Sequence, residues 1–280
     1  MSSIPPGPKW FDESYDAFPR IEEAFHAALD ESLEPRGPER LYDLVRAFDL
    51  APGSFAVDVG CGEGRHTFAL AQRFGLDVVG VDPLPRHVEL ANAELAAVAA
   101  RDPELARHIR FEPGSAEALP FVDGAAALVW CRDVLGHVAD LDRVYAEFRR
   151  VLTAGGRGVV YQMFSTHRLE PNEAEWLWRT MGVVPTSADS ARTEEAITTA
   201  GLRIDDCVRI GSDWGEWAEE RSGKSGRRLL YAARLLRDPE RYIAQFGRPA
   251  YGIMLGDCLW HVYAMIGKIE RRAYVLSHDA

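Results

Sequence analysis

Acids and glycines alternate with apolar runs between positions 55 and 82. Asp58 ends the first apolar run, three alternating glycines follow it, and Asp82 ends a second run eighteen residues beyond the last glycine. Glycine lets the backbone turn sharply and pass close to a ligand, and a carboxylate about 20 residues further on can reach ribose hydroxyls. This spacing predicts a site for NAD or for S-adenosylmethionine (SAM). The glycines are Gly60, Gly62 and Gly64.

A parallel sheet is needed to position these residues, and the chain has the pattern of one. Apolar runs typical of strands alternate with helical patterns from position 55 to position 163. Such alternation predicts an α/β fold with a doubly wound, mostly parallel sheet that binds ligands at the carboxyl ends of its strands. The predicted strands cover 55–57, 77–81, 109–112, 126–131, 157–163, 202–210 and 272–277, and the predicted helices include 21–33, 39–48, 65–74, 85–99 and 140–152.

Four blocks of sequence, taken in order, resemble the class I SAM-dependent methyltransferases of the ubiquinone-biosynthesis type. The glycine block at 57–67 is followed by blocks at 114–121, 128–138 and 150–156. The resemblance implies a Rossmann-like, seven-stranded sheet with a helical lid, SAM as the cofactor, and methyl transfer to a small molecule. An NAD-dependent dehydrogenase is left as the alternative for the glycine loop.

The resemblance also implies roles for individual residues. Asp58 and the glycine loop would surround the methionyl part of SAM, and Asp82 would hold both ribose hydroxyls, because a carboxylate has acceptor oxygens for two donors. Ser115 and Ala116 would read the edge of the adenine ring, although the family commonly has an acid where this chain has Ser115. The residues expected against the methionyl end are Cys131 and Arg132.

Composition restricts the class of protein and its partners. The chain of 280 residues is 47% apolar and carries 32 basic and 43 acidic residues, a net charge of −11. This charge argues against nucleic-acid and acidic-membrane partners. Four scattered cysteines without CxxC pairs, and no signal peptide or long apolar run, predict a soluble cytoplasmic protein. We expect a small-molecule acceptor as the partner, and a homo-oligomer stays open.

The predicted organisation has three parts. Residues 1–38 are predicted to form an N-terminal helical flap, 39–165 the SAM-binding core, and 166–280 the rest of the sheet. In the family an antiparallel hairpin would end the sheet. Here helical sequence with several aromatic residues intervenes at about 212–268, and we interpret it as an acceptor-binding lid.

Two candidate bases lie in the loop after the fifth strand. Glu170 occupies a position that overlooks the methyl group in this fold, and a carboxylate there could take a proton. His167 is the neighbouring candidate. A solvated glutamate beside a proline is the alternative interpretation of Glu170.

Aromatic and basic side chains of the second half suggest the acceptor. Tryptophan faces stabilise cations, and glycines with serine and cations can bind phosphate. Lid packing and a solvated helix end are the respective alternatives. The candidates are Trp176, Trp178, Trp214 and Trp260 for an aromatic wall, and Lys224, Arg227, Arg228 and Arg248 for an anion.

Together, a base, an aromatic wall and an anion site match C-methylation of an alkene in an isoprenyl diphosphate. Mg²⁺ could accompany the diphosphate, with Asp257 and His261 as ligands or, alternatively, as a buried polar pair. An N- or O-methyltransferase of a small amine or phenol is the second hypothesis. A SAM-binding protein that serves binding or cyclisation without methyl transfer is the third.

Overall fold

The computed structural model describes residues 8–279, with side chains from residue 13 onward, and divides into two compact units. The smaller unit, Met1–Pro35, contains helix α1, Pro8–Asp30. This helix begins thirteen residues before the predicted one, because Pro8 occupies its first position, where proline's fixed φ and missing N–H are tolerated. The proline-rich residues 4–7 of the predicted flap lie outside the described residues.

The larger unit, Arg36–Ala280, is built on a seven-stranded sheet. Its strands are β1 Phe55–Val59, β2 Asp77–Asp82, β3 Ile109–Pro113, β4 Ala126–Arg132, β5 Leu152–Ser165, β6 Arg203–Arg209 and β7 Ile269–Ser277. The spatial order is β3-β2-β1-β4-β5-β7-β6, in which β7 alone runs antiparallel to its neighbours. The predicted mostly parallel, Rossmann-like sheet is confirmed.

The central strands form because they are apolar on both faces. In β4, Val129 and Cys131 pack into the core on one side of the sheet, while Leu128 and Trp130 pack into the core on the other side. Near-continuous apolar sequence is typical of parallel strands covered by helices on both faces. Polar side chains are therefore left to the strand ends, where β4 finishes at Arg132.

Helices cover both faces of the sheet, and the predicted boundaries agree with the observed ones to within a few residues. Short 3-10 turns follow β4 and α7. The helices are α2 Arg40–Arg46, α3 Arg65–Phe74, α4 Pro85–Arg101, α5 Pro103–Ala106, α6 Leu141–Val151, α7 Pro171–Met181 and α8 Ser190–Thr199.

Four helices, here called the inserted helices, fill the chain between β6 and β7. They pack around a small apolar core that includes Leu235, Leu255 and Cys258. Over the residues described, no helix has both the length and the hydropathy needed to span a bilayer. The inserted helices are α9 Asp213–Ser222, α10 Lys224–Arg237, α11 Pro239–Phe246 and α12 Arg248–Met265.

Candidate active site

The three glycines between β1 and α3 all have left-handed backbone, with φ of 71°, 54° and 86°. A Cβ on Gly60 would collide with Val134, and a Cβ on Gly64 would collide with Phe111. A Cβ on Gly62 would meet no protein atom within 4 Å. The outer two glycines therefore allow the loop to pack, whereas the middle one leaves space for a ligand to approach the backbone.

Asp82, at the end of β2, is buried beside this loop. Its Oδ2 accepts the Gly62 N–H at 2.9 Å, and its Oδ1 accepts the Leu84 N–H at 2.9 Å and lies 3.1 Å from His87 Nδ1. A carboxylate has about four acceptor positions, so three protein donors leave room for one hydroxyl. The loop and Asp82 thus fit a ribose, whose second hydroxyl would take the position of His87.

Asp58, at the end of β1, supports the loop from within the core. Its Oδ2 accepts a hydrogen bond from Thr67 Oγ1 at 2.6 Å. Burial raises the pKa of Asp58 to about 7, and the bond from Thr67 opposes that shift. The carboxylate therefore holds α3 against β1 rather than presenting a free charge to the cofactor.

The remaining predicted cofactor residues lie after β3 and at the end of β4. Ser115 is half-buried in a short turn after β3, and Ala116 beside it is buried. Cys131 lies wholly in the apolar core, and burial holds the pKa of its thiol well above its usual range. Only the backbone of Cys131 can therefore face a ligand at the strand end.

Arg132 links the glycine-loop side of the site to the inserted helices. Its Nη1 donates to His66 Nε2 at 3.2 Å, and its Nε donates to Asp133 Oδ2 at 3.3 Å. The guanidinium also lies 5.5 Å from the Tyr161 ring centroid and 5.3 Å from that of Trp214. Arg132 is thus positioned from both sides at the carboxyl edge of the sheet.

The partner of Arg132 on α3 is an uncharged imidazole. Burial, followed by the charge of Arg132, lowers the pKa of His66 to about 3. Neutral His66 accepts from Arg132 at Nε2, so its Nδ1–H donates to the Tyr42 oxygen 2.6 Å away. The positive charge of Arg132 is therefore not neutralised by this contact.

A cavity of about 270 Å³ opens between Arg132 and the inserted helices, and we call it the cationic cavity. Among the residues described, no carboxylate lines it. It brings together five residues that the sequence singled out, one further tryptophan of the predicted lid, and one residue that the sequence did not indicate. Its charged or ionisable and aromatic lining residues are Arg132, Trp214, Trp217, Lys224, Arg228, His261 and Arg271.

Arg271, on β7, is the lining residue that the sequence analysis missed. It is 4% exposed, and its Nε and Nη1 have no hydrogen-bond partner. Its guanidinium lies 5.9 Å from the Trp214 ring centroid. The available signal was an arginine pair directly before the apolar run 273–276, and the predicted strand began one residue too late to include Arg271.

Asp133 is a second residue that the sequence analysis missed. It follows β4 directly, with a left-handed φ of 60° that is rare outside glycine. The surrounding protein raises the pKa of its carboxyl, and the charges of Arg132 and Arg271 oppose that shift, while 49% of the side chain remains exposed to solvent. The signal was its place, since Asp58 and Asp82 also stand at the carboxyl ends of parallel strands.

The predicted metal ligands have other partners. The Asp257 carboxylate is ion-paired with Arg228, and His261 Nδ1 bonds to the Asp257 backbone oxygen at 2.8 Å. Within the part of the chain that the structure describes, no three His, Cys, Asp or Glu side chains are grouped to hold a metal ion. The Asp257 and His261 side chains are 35% and 43% exposed and so do not form a buried pair, and the metal site predicted at these two residues stays a prediction.

The basic glycine–serine segment does not offer its backbone to an anion. The Glu219 carboxylate accepts the Gly226 N–H at 2.5 Å, so the protein supplies its own anion there. Lys224 still reaches the cationic cavity from the first turn of α10. Arg227 and Arg248, by contrast, are exposed and do not line the cavity.

The two predicted bases lie outside the cationic cavity. Glu170 is exposed and is the N-cap of α7, where it forms a capping box with Glu173 and donates its own N–H to Glu173 Oε2 at 3.1 Å. His167 lines a separate cavity of about 470 Å³ with Arg209 and Arg272. Glu170 therefore has a structural task that its position in sequence did not reveal.

Of the four tryptophans predicted to form an aromatic wall, one lines the cationic cavity and three lie elsewhere. Trp214 lines the cationic cavity and stacks on Tyr161, with ring centroids 4.7 Å apart. Trp178 and Trp260 meet edge to face at 5.6 Å, and Trp176 packs beside them. These three join α7 to α12 as ordinary packing and do not line the cavity.

Comparison with known proteins agrees with this geometry. Residues 57–160 match the family described as "Methyltransferase domain". "Methyltransferase GfsG" of Streptomyces halstedii is 30% identical over 122 residues, which are 44% of this chain and 41% of that protein. The chain thus spans less than half the length of this curated relative.

Solved structures share the fold at low identity. The "[4+2]-Cyclase SpnF" superposes with a TM-score of 0.65 at 20% identity, covering 100% of both chains. The geranyl diphosphate C-methyltransferase from Streptomyces coelicolor A3(2) superposes with a TM-score of 0.63 at 17% identity, covering 85% of this chain and 75% of that one. One sheet topology therefore occurs in proteins named for different reactions.

Proposed function

We propose, from the match of residues 57–160 to the methyltransferase-domain family, that the chain transfers the methyl group of SAM to an anionic small molecule. The first candidate for the methylated atom is an alkene carbon of an isoprenyl diphosphate. The observation that carries the proposal is the cationic cavity, which begins at Arg132 on the strand that ends beside the glycine loop.

The chain has residues to hold the cofactor. Asp82 would accept ribose hydroxyls, Gly62 would admit the methionyl part to the backbone, and Ser115 with Ala116 would face the adenine. When bound, SAM supplies an electrophilic methyl group on a sulfonium. The protein must then orient the acceptor and take up one proton.

The charge of the cavity favours an anionic acceptor. Four permanent cations line it: Arg228 is ion-paired with Asp257 and Arg132 with Asp133, whereas Lys224 and Arg271 form no salt bridge with any residue that the structure describes. Trp214 is unavailable as a cage for a cationic amine, because its ring is stacked on Tyr161 and approached by two guanidinium groups. An amine without a negative group would therefore meet repulsion, whereas a phosphate or diphosphate would be attracted.

A second cavity supports an isoprenoid tail. It measures about 410 Å³ and is almost wholly apolar, with Tyr231, Leu235 and Phe246 in its lining. Lys224, Arg228, Tyr231 and Leu235 lie at i, i+4, i+7 and i+11 of α10, which places them along one face of that helix. A diphosphate in the first cavity could thus extend its hydrocarbon along α10 into the second.

C-methylation of an alkene requires one base besides SAM, because one proton must leave the substrate. The carbon–carbon bond forms as the carbon–sulfur bond breaks, S-adenosylhomocysteine leaves, and loss of a proton from the tertiary carbocation restores an alkene. Asp133 and Glu170 are the candidate carboxylates. Neither carboxylate lines the cavity, but Asp133 bonds to Arg132, which does line it, and the upward direction of its pKa shift suits proton uptake.

An assay with labelled SAM tests the function. Geranyl and farnesyl diphosphate, phosphoethanolamine, an uncharged phenol and a tertiary amine are each offered with and without Mg²⁺, which commonly bridges phosphate oxygens. We expect label only on acceptors that carry phosphate. Transfer to the phenol or the plain amine alone would contradict the proposal, and cyclisation or binding without label on any product would indicate a protein of another class.

The base is tested by two amide variants. We expect Asp133→Asn to lower turnover by ~10²–10⁴-fold with SAM affinity retained, as loss of a general base does. Because the pKa of Asp133 is raised, the acid limb of the turnover profile should lie above the usual range for aspartate. Glu170→Gln should leave turnover unchanged and lower stability by less than ~2 kcal/mol, as cap replacements do. The reverse pattern would return the role of base to Glu170.

A further inference from the structure

A buried arginine with unused donors lies in the wall of the cationic cavity. Arg271 has Nε and Nη1 without hydrogen-bond partners, although the side chain is 4% exposed. Leaving a charged donor buried and unpaired is costly. A protein keeps such a group most readily where a ligand completes its hydrogen bonding.

The surroundings of Arg271 supply no internal partner of that kind. Asp133 is near enough for the charge of Arg271 to act on its pKa, but its carboxylate bonds to Arg132. The guanidinium also faces the ring of Trp214, which accepts no strong hydrogen bond, and its charge acts on the pKa of Tyr161, whose buried hydroxyl likewise has no hydrogen-bond partner. The cavity that Arg271 lines is therefore the direction from which a partner can come.

We infer that Arg271 is the anion-binding residue of this cavity and holds a phosphoryl group of the acceptor, with Lys224 and Arg228 as secondary contacts. The inference rests on the proposed function and adds the residue that selects the acceptor. Arginine is suited to this task because its planar guanidinium keeps its charge when buried and matches phosphate oxygens. Lys224, at the exposed first turn of α10, can close over the anion from the opposite side.

Anion binding can be measured without any acceptor. Inorganic pyrophosphate and phosphate are titrated into the protein loaded with S-adenosylhomocysteine, at constant ionic strength kept with chloride, by calorimetry and by thermal shift. A ligand that binds only the folded state raises the melting temperature. We expect wild-type protein to bind pyrophosphate, with a weaker response to phosphate if the natural acceptor is a diphosphate and equal responses if it is a monophosphate ester.

Substitution identifies the residue. Arg271→Met should weaken pyrophosphate binding at least tenfold and should itself raise the melting temperature without anion, because it removes an unpaired buried charge. A merely structural arginine would give the opposite sign. Arg227→Gln is the matched control, since it removes one positive charge from an exposed neighbour of Arg228 that does not line the cavity.

If Arg271→Met does not fold, Lys224→Ala, at an exposed position, should still weaken pyrophosphate binding several-fold, and full affinity there would overturn the cavity assignment. Wild-type protein that binds no pyrophosphate, or equal affinity in wild type and Arg271→Met, would overturn the inference. Pyrophosphate binding through Arg271 without methyl transfer to any acceptor would refute the proposed function and leave the anion site standing.

Discussion

The glycine loop and the inserted helices use glycine for opposite purposes. At Gly62 the backbone is left-handed and the space where a Cβ would lie is empty, so the missing side chain leaves room for a ligand. At Gly215, in α9, the space is filled by Met265 of α12, so the missing side chain lets two helices meet. One half of the site is thus defined by backbone at strand ends, and the other by side chains packed between helices.

The largest expected effect is on SAM affinity, and it tests the half of the site that is formed by backbone at the strand ends. Gly62→Val should lower SAM affinity by at least ~10²-fold, about 2.7 kcal/mol, because a branched side chain would occupy the ligand's approach. Asp82→Ala should act in the same direction through the lost bonds to ribose. Isothermal calorimetry measures both.

Gly124→Val is the matched control for backbone strain. Gly124 has a similar φ of 63° and an equally open surrounding, but it precedes β4, at the amino ends of the strands. It should carry the same strain of ~1–2 kcal/mol and keep full SAM affinity. Equal loss of affinity in the two variants would mean that strain, and not the cofactor's approach, decides the effect at Gly62.

The same contrast explains what sequence could predict. The strands, the sheet and the loop from Asp58 to Asp82 follow from apolar runs and glycine spacing, which local sequence records directly. The tasks of Glu170 and Trp178 depend on which partner lies across a helix contact, and no spacing encodes that. Arg271 is the extreme case, because its role arises only when β7 lies beside β5 and the inserted helices lie above both.

The next effect concerns Asp58, whose pKa is raised to about 7. Between about pH 4 and pH 7 the folded protein holds a proton that the unfolded chain has released, so this group's contribution to the unfolding free energy falls as pH rises. Asp58→Asn should remove that slope, which amounts to at most ~4 kcal/mol at 1.36 kcal/mol per unit. Urea unfolding should show the variant about 1–2 kcal/mol more stable than wild type at pH 5 and about 4 kcal/mol more stable at pH 8. Parallel curves would mean that Asp58 is ionised at little cost.

The smallest effects test the half of the site that is built from side chains packed between the inserted helices. Two glycine substitutions there should change the stability of the protein in opposite directions. Gly215→Ala forces a Cβ against Met265 and should destabilise the protein by ~1–3 kcal/mol, as overpacking does. Gly252→Ala, in α12, meets only Thr180 Cγ2 at 3.9 Å, an ordinary contact, and should stabilise by ~0.5–1 kcal/mol because alanine favours helix. Both variants should keep SAM affinity, and only Gly215→Ala should impair pyrophosphate binding, since Gly215 lines the cationic cavity. If Gly215→Ala lowered SAM affinity as Gly62→Val does, the two halves of the site would be coupled, and the division between backbone and side chain would fail.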